Sequence, residues 1–203
     1  AAGIGSRLGK PYPKPLTELS TGETIMQRQI AALSNYIGSD NIIIVVGFKK
    51  DLIMEEFSNQ IFVYNNVYDN TNTSKSLLCA LNKIHNEDVL WLNGDVVFDE
   101  KVLKPIIDFN GSCMAVNTNS VAEEEVKYNM NENGTIRQVS KVIADGLGEA
   151  VGINKITKES LNLFKESLEI CEAQDYFERA LEFSIDKGIK LYPVDISTHF
   201  CIE

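Results

Sequence analysis

Short apolar runs rich in β-branched residues alternate with segments of helical apolar spacing along the first half of the chain. The clearest run lies within residues 41–46 and ends at Gly47, a pattern typical of a strand buried on both faces of a parallel sheet. Before it, residues 23–37 carry apolar side chains three or four positions apart, which predicts a helix capped by Ser20 or Thr21. This alternation of helix and strand is the pattern of an α/β chain.

The rest of the chain continues the alternation and adds antiparallel structure. Further helices are predicted over residues 50–57, 74–85, 101–109, 158–168 and 175–187. Further strands are predicted over residues 61–64, 89–92, 112–117, 148–156, 190–195 and 198–202, with a hairpin of 126–130 and 135–139 around Asn133-Gly134. We therefore expect a doubly wound, mixed but mostly parallel sheet in a three-layer α/β/α arrangement, with ligands beyond the carboxyl ends of the strands.

Composition narrows the function classes. The chain of 203 residues is 44% hydrophobic and 24% charged, which suits one globular domain, and no apolar run approaches the roughly 18 residues of a membrane span. The net charge of -10 argues against nucleic-acid binding, which needs many phosphates to be neutralised at once. The four cysteines form no metal-ligand or disulfide pattern and no signal peptide is visible, so the cytoplasm is the expected compartment, with no membrane partner.

The first nine residues form a glycine-rich stretch, which lets backbone N–H groups approach phosphate oxygens closely. It fits neither the dinucleotide-binding fingerprint nor the P-loop, because Lys10 is followed by Pro11 instead of Ser or Thr. Arg7 within the stretch and Lys14 just after it supply a guanidinium fork and a point charge, the groups that a transferring phosphoryl needs. A small anionic ligand is thus the expected partner.

The opening Ala-Ala-Gly-x-Gly-Ser-Arg-Leu-Gly, followed by Pro-Lys-Pro-Leu, resembles the signature of nucleotidyltransferases with the sugar-nucleotide pyrophosphorylase fold. The resemblance is to the phosphocholine and phosphonate cytidylyltransferase-like branch, and it implies the GT-A-like fold of nucleotide-diphospho-sugar transferases. It implies that a phosphate monoester or phosphonate attacks the α-phosphorus of a nucleoside triphosphate and expels pyrophosphate, with Arg7 and Lys14 stabilising the reacting phosphates. The residues that it assigns to the nucleotide at this end of the chain are Ala1, Ala2, Gly3, Gly5 and Ser6.

Two further segments match the same family. Residues 68–77 resemble the segment near the base and ribose, which makes Asn72 and Ser76 nucleotide-binding candidates, although Ser74 is equally explained as a helix cap. The predicted strand 89–92 runs into Asn93-Gly94-Asp95. By resemblance Gly94 contacts the nucleotide and Asp95 binds the Mg²⁺ that bridges the triphosphate. A carboxylate at a strand end suits Mg²⁺, which takes few protein ligands, while the alternative is a turn-forming Gly-Asp.

The acceptor side carries four candidates, each with a structural alternative. Glu149 resembles the acid that contacts the acceptor in the family, or is a plain strand-end carboxylate. Lys141 falls where relatives keep a lysine near the acceptor phosphate, or is a solvated hairpin charge. Asp175 and Tyr176 could face the pocket, or Asp175 could be a helix-start acid. Choline would need an aromatic cage, and the lone Trp91 belongs to a buried strand, so we expect another small phosphorylated or phosphonate acceptor.

These features predict a Mg²⁺-dependent nucleotidyltransferase that uses CTP. The alternatives are a sugar 1-phosphate uridylyl- or thymidylyltransferase and a non-catalytic, nucleotide-binding regulatory relative. Family chains start with one more strand and continue past residue 203 to a second metal ligand, so we expect 1–203 to be a single nucleotidyltransferase domain without its first strand and C-terminal end. A homo-oligomer is as compatible with the sequence as a monomer.

Overall fold

The computed structural model describes residues 2–3, 12–119 and 125–202, and within them the chain forms ten strands and six α-helices. The strands are β1 (Ile43–Val46), β2 (Ile61–Tyr64), β3 (Val89–Leu92), β4 (Val97–Phe98), β5 (Ser112–Asn117), β6 (Lys127–Met130), β7 (Ile136–Ser140), β8 (Gly148–Ile156), β9 (Leu191–Asp195) and β10 (Cys201–Ile202). The helices are α1 (Ile25–Ile37), α2 (Lys50–Glu56), α3 (Thr73–Leu81), α4 (Leu103–Asp108), α5 (Lys158–Ile170) and α6 (Phe177–Asp186). Single 3₁₀ turns cover Lys14–Leu16, Ser39–Asn41 and Glu100–Val102.

The main sheet has six strands and is mixed. Its order is β7-β6-β8-β5-β9. Strands β6 and β3 share one edge of β8, where β6 pairs with its amino-terminal end and β3 with its carboxyl-terminal half. The strands β3, β5, β6 and β9 run in one direction and β7 and β8 run against them, because β5 pairs with β9 in parallel and β8 is antiparallel to β3, β5 and β6. A separate parallel pair, β1 and β2, and an antiparallel pair, β4 and β10, complete the pairing.

Alternate side chains of β5 enter two different hydrophobic cores. Cys113 and Ala115 pack with apolar side chains of α1, α2 and α4, whereas Met114 and Val116 pack with those of α3, α5 and α6. Successive side chains of a strand point to opposite faces, so the sheet is covered by helices on both. The predicted three-layer α/β/α arrangement and the mixed sheet are therefore confirmed. The main sheet is not mostly parallel in its described pairings, however, because β8 runs antiparallel to β3, β5 and β6, and β7 to β6, which leaves β5 with β9 as the parallel pair.

The start of α1 differs from the prediction. Its cap is Thr24, whose side chain accepts a hydrogen bond from Gln27 N while the Gln27 side chain accepts from Thr24 N, a complete capping box. Ser20 and Thr21 are instead taken up in a turn, because Leu19 N donates to Glu23 O at 2.8 Å. The predicted caps at positions 20 and 21 are wrong.

Other boundaries shift by a few residues. Helix α3 ends at Leu81 because Lys83 and Ile84 make tighter turn bonds to Ala80 and Leu81. The predicted strand 198–202 shrinks to β10, since a hydrogen bond from His199 N to Ile196 O closes a turn before it.

The Asn133-Gly134 hairpin is confirmed, with Gly134 at a φ of 81°. Across the described ranges, every helix falls short of the length and apolar content that a bilayer crossing demands.

Candidate active site

An ion pair joins Lys14 and Asp95, the residues expected to bind the phosphates and the metal ion. Lys14 Nζ donates to Asp95 Oδ2 at 2.8 Å, across 81 positions of sequence. Lys14 opens a 3₁₀ turn between the buried Pro13 and Pro15, and Asp95 lies in the turn that follows β3. The side chains keep 36% and 26% of their surface exposed, so a ligand can reach both.

The turn that carries Asp95 is held from two sides. Asn93 N donates to Gly152 O at 3.0 Å, which ties the end of β3 to β8. From the other side, Gln29 Nε2 donates to Asn93 O at 3.0 Å and to Val96 O at 2.7 Å. Sequence reasoning missed Gln29. The sequence did contain an indication of it, because Gln29 lies three positions after Met26 and four before Leu33, on the apolar face of the predicted helix.

The start of the glycine-rich stretch lies against the ends of β1 and β2. Ala2 is buried, and its carbonyl accepts a hydrogen bond from Phe48 N at 3.1 Å. A Cβ at Gly47 would come within 2.6 Å of Ala2 O and of Tyr68 Cβ, so this position admits only glycine. A Cβ at Gly3 would meet no atom of residues 12–119 or 125–202 within 4 Å, so the packing of these residues does not require glycine there. Gly47 is a second residue that the sequence reasoning did not connect to the site.

The predicted nucleotide contacts Ala1, Gly5 and Ser6 and the catalytic candidate Arg7 lie outside the described residues. Their roles stay predictions from the motif. Gly94 lies inside the turn between β3 and β4, next to Asp95.

Asn72 sits at the start of α3. Its Oδ1 accepts from Thr73 N at 2.9 Å, which makes Asn72 the cap of the helix. Ser74 is therefore not the cap, because its hydroxyl donates to Asp175 O at 2.6 Å. The backbone N–H of Asn72 donates to Ala173 O at 2.8 Å. The capping explanation of Ser74 is wrong. The hydrogen bonds of Asn72 and Ser74 connect the start of α3 to residues 173–175.

Ser76 belongs to a buried amide network. Asn65, fully buried after β2, donates from Nδ2 to Thr71 Oγ1 and to Ser76 Oγ, both at 3.0 Å. Its Oδ1 accepts from Val67 N at 3.1 Å. Asn65 thus fixes the polar loop 66–72 to α3, and it is a third residue that the sequence reasoning missed.

Glu149 is the second residue of β8 and pairs with Asn117, the last residue of β5. Its Oε1 accepts a hydrogen bond from Asn117 Nδ2 at 3.3 Å. Burial raises the pKa of the Glu149 carboxyl above its ordinary value, the nearby Glu125 raises it further, and the Asn117 bond offsets part of the shift. A carboxylate with these neighbours would gain from a cationic group placed beside it.

Lys141 and Tyr176 lie together. Lys141 Nζ is 5.6 Å from the centroid of the Tyr176 ring, a cation–π contact between two exposed side chains. Asp175 precedes α6, which begins at Phe177, and its carboxylate accepts from Glu172 N at 2.8 Å. The alternative of an acid in the first turn of the helix is therefore wrong for Asp175.

The contacts form two groups. One is the Lys14–Asp95 pair. In the other, Asn72 N bonds to Ala173 O and Ser74 Oγ to Asp175 O, and Tyr176, next to Asp175 in the sequence, contacts Lys141. The Glu149 side chain bonds to Asn117 and to neither group within the described residues.

Asp95 offers one accessible carboxylate beside the predicted phosphate site, which fits a cation that fills most of its shell with water and phosphate oxygens. Residues 2–3, 12–119 and 125–202 contain no cluster of three or more acidic, His or Cys side chains that could bind a metal alone. The donor set therefore fits Mg²⁺ carried in with a triphosphate.

Comparison with known proteins decides the family. The family model of the MobA-like NTP transferase domain matches residues 1–143. The chain belongs to this family. The resemblance predicted from the opening motif is thereby confirmed.

Two curated relatives cover about half of this MobA-like NTP transferase chain. The CMP-5'-(3-aminopropyl)phosphonate synthase of Streptomyces rubellomurinus is 34% identical over 113 residues, which are 51% of this chain and 18% of that protein. The bifunctional protein GlmU of Methanococcus maripaludis is 31% identical over 118 residues, which are 56% of this chain and 28% of that protein. The chain spans less than a third of the length of either relative.

A solved structure matches the whole chain. The inositol-1-phosphate CTP transferase from T. maritima covers 100% of this chain and 86% of its own, with a TM-score of 0.80 at 18% identity. At this identity the likeness establishes the fold alone, which is the predicted fold of nucleotide-diphospho-sugar transferases.

Proposed function

We propose that this MobA-like NTP transferase domain is a Mg²⁺-dependent cytidylyltransferase, which transfers CMP from CTP to a small phosphate monoester or phosphonate. The observation that carries the proposal is the accessible ion pair of Lys14 with Asp95, because an ammonium suits a phosphate and a carboxylate suits Mg²⁺. The choice of CTP is supported by the likeness to two proteins, a CMP-phosphonate synthase and a CTP transferase.

In the proposed reaction an acceptor oxygen forms a bond to the α-phosphorus of CTP, and the bond from that phosphorus to the pyrophosphate oxygen breaks. The acceptor oxygen of a phosphate or phosphonate is already anionic near neutral pH, so no general base is needed. The barrier then depends on placing the two anions in line and offsetting their charge. Lys14 supplies a point charge for the phosphates, and Arg7 is proposed to clamp their oxygens.

Asp95 is proposed to hold the magnesium ion, which when bound neutralises charge on the triphosphate. Lys14 Nζ contacts the Asp95 carboxylate at 2.8 Å, so the proposed metal ion and phosphates would meet these two side chains together. The contact with Asp95 directs the Lys14 ammonium toward the proposed phosphate position.

The nucleotide is proposed to lie along the glycine-rich start, with Gly3 and Gly94 allowing close approach. Asn72 and Ser76 are proposed to face the base and ribose. Ala2, Gly5 and Ser6 complete the backbone contacts by the motif, and Ala1 begins them. The link from Asn65 to Ser76 supports a fixed position for this wall of the site.

The acceptor is proposed to lie between Glu149 and the pair of Lys141 and Tyr176. Asp175 is proposed to stabilise the turn that precedes Tyr176. Lys141 suits the phosphate or phosphonate end of such a molecule. The Glu149 carboxyl, whose pKa is raised by burial and by Glu125, suits a cationic end such as an amine. An aminoalkyl phosphonate or phosphate combines both charges.

The test is pyrophosphate release by the complete protein with Mg²⁺, in which CTP, UTP, ATP, GTP and dTTP are each paired with different acceptors. The acceptors are phosphocholine, aminoethylphosphonate, phospho-amino acids and sugar 1-phosphates. Release with CTP and a non-sugar acceptor supports the proposal. Release only with UTP or dTTP and a sugar phosphate would replace it with a sugar nucleotidyltransferase, and nucleotide binding without release from any pair would point to a regulatory relative.

A further inference from the structure

Gln29 lies on the buried stripe of α1, with 6% of its surface exposed. Its Nε2 donates one hydrogen bond to Asn93 O at 3.0 Å and another to Val96 O at 2.7 Å. An amide nitrogen has two donor hydrogens, so both are used. A buried glutamine with both donors directed at one turn is a specific arrangement, because a buried carbonyl gains little from any other partner once it is removed from water.

The two carbonyls lie on either side of Gly94 and Asp95. The turn's own hydrogen bond, from Val96 N to Asn93 O, is long at 3.4 Å, so the turn is weakly closed by its backbone. The bonds from Gln29 bridge its two ends. The conformation that directs the Asp95 carboxylate toward Lys14 is therefore fixed from α1.

Helix α1 also anchors the other half of the ion pair. Ile25 N, at the start of α1, donates to Thr17 O at 3.1 Å, and Thr17 N donates to Lys14 O at 2.9 Å. The Lys14 turn and the Asp95 turn are thus fastened to the same helix within about one turn of each other. This shared support sets the separation of the ammonium from the carboxylate.

We propose that Gln29 is a positioning residue, which holds the Asp95 turn in the conformation that binds Mg²⁺ and triphosphate. The inference rests on the role given to Asp95 under the proposed function. Residues that orient metal ligands through hydrogen bonds commonly change metal affinity or activity by about 10-fold to 100-fold when they are replaced.

The test compares replacements at two glutamines of α1 in the complete protein. Gln29→Glu keeps the size but replaces the donor amide with a carboxylate that faces two carbonyls, and Gln29→Met keeps the volume without donors. The control is Gln27→Ala, which breaks the capping box of the same helix on its exposed side and leaves the Asp95 turn untouched. Mn²⁺ binding in the presence of CTP is followed by the electron paramagnetic resonance signal of free Mn²⁺, together with kcat, the KM for CTP and thermal unfolding.

We expect both Gln29 variants to weaken Mn²⁺ binding and to lower kcat by about 10-fold to 100-fold. The KM for CTP should change less than kcat, since Asn72 and Ser76, the residues proposed to face the base and ribose, are untouched. Gln27→Ala should lower the melting temperature and leave Mn²⁺ binding unchanged.

A purely structural role for Gln29 predicts the opposite, namely lower melting temperatures for Gln29→Met and Gln27→Ala with Mn²⁺ binding equal to the wild type, and that result overturns the inference. Asp95→Asn separates the two levels of the proposal. If it binds Mn²⁺ as the wild type does, the metal role of Asp95 fails and the Gln29 inference falls with it. If it loses Mn²⁺ while both Gln29 variants retain it, only the role of Gln29 is overturned.

Discussion

At the scale of single residues, we expect the Lys14–Asp95 pair to contribute more to ligand binding than to the stability of the fold. Both side chains are partly exposed, and ion pairs of this kind contribute about 0–1 kcal/mol to folding. The turn that carries Lys14 is fixed instead by the burial of Pro15 and Leu16. We therefore expect Lys14 to contribute to the binding of phosphates more than to folding.

Lys14→Ala is expected to lower kcat for pyrophosphate release by about 100-fold to 1,000-fold, because a cation directed at the reacting phosphates is lost. The free energy of unfolding should change by less than about 1 kcal/mol. Steady-state kinetics and urea unfolding measure the two quantities. An unchanged kcat would remove Lys14 from the catalytic role.

Two glycines near the nucleotide site separate fold from function. A methyl group at Gly47 would meet Ala2 O and Tyr68 Cβ at 2.6 Å, so Gly47→Ala should cost about 1–3 kcal/mol of stability. The methyl group of Gly3→Ala meets none of the described residues within 4 Å and should leave the melting temperature unchanged. It should still weaken CTP binding by about 10-fold, since a Cβ blocks close approach of the phosphates. Thermal unfolding and CTP titration of both variants check this, and tight CTP binding by Gly3→Ala would exclude the predicted contact.

At the scale of helices and strands, Asn72 has two separate roles to test: it caps α3, and the motif predicts that it contacts the nucleotide. Asn72 caps the helix through Oδ1, which leaves its amide nitrogen for another partner. Asn and Asp cap helices about equally well, whereas Ala loses about 1 kcal/mol. The two functions can therefore be separated by substitution.

Asn72→Asp is expected to keep the stability of the wild type and to weaken CTP binding, because the cap remains while the amide donor is lost. Asn72→Ala should lose CTP binding and about 1 kcal/mol of stability. Urea unfolding and CTP titration give the comparison. Equal CTP affinity in the wild type and Asn72→Asp would limit Asn72 to capping.

Much of the order of helices and strands can be predicted from the sequence, because burial determines the spacing of apolar residues along each element. The run before Gly47 and the segment 112–117 are apolar on both faces, and each is a strand with side chains in a core. Local boundaries were less predictable. Ser20 and Thr21 have the chemistry of caps, but the turn closed by Leu19 and Glu23 placed Thr24 at the start of α1 instead.

The candidate site residues also divide into those that the sequence predicts and those that it does not. Lys14 and Asp95 were predicted because each belongs to a motif. Their contact at 2.8 Å could not be predicted, because it joins two turns that are distant in sequence. Gln29 and Asn65 carry no motif. Their roles depend on which backbone groups the fold brings within reach of a buried amide, and only the tertiary structure supplies that.

At the scale of the whole molecule, two cores on either side of one sheet hold together segments that are far apart in sequence. Strand β8 lies between β5 on one edge and β3 and β6 on the other, so it connects Glu149, near its start, to Gly152, whose carbonyl accepts the bond that holds the turn of Asp95. The proposed acceptor acid is thus part of the central framework. Its protonation should affect the stability of the whole domain.

The raised pKa of Glu149 predicts a pH dependence of folding. The native state holds this proton more tightly than the unfolded state, so the stabilising contribution is full below the ordinary carboxyl pKa and is lost as pH rises through the raised pKa. The free energy of unfolding of the wild type, relative to that of Glu149→Gln, should therefore fall as the pH rises through that window. Urea unfolding across a pH series tests it, and a constant difference between the two proteins would contradict the assignment.

The most direct test of the central claim is to identify the product. The complete protein is given Mg²⁺, equal concentrations of CTP, UTP and dTTP, and a mixture of aminoalkyl phosphonates, phosphate monoesters and sugar 1-phosphates, and the products are identified by mass spectrometry. The proposed function predicts a CMP adduct of one phosphonate or non-sugar phosphate, formed together with pyrophosphate and lost in Lys14→Ala. A UMP or dTMP adduct of a sugar phosphate, or no adduct at all while CTP binds, would contradict it.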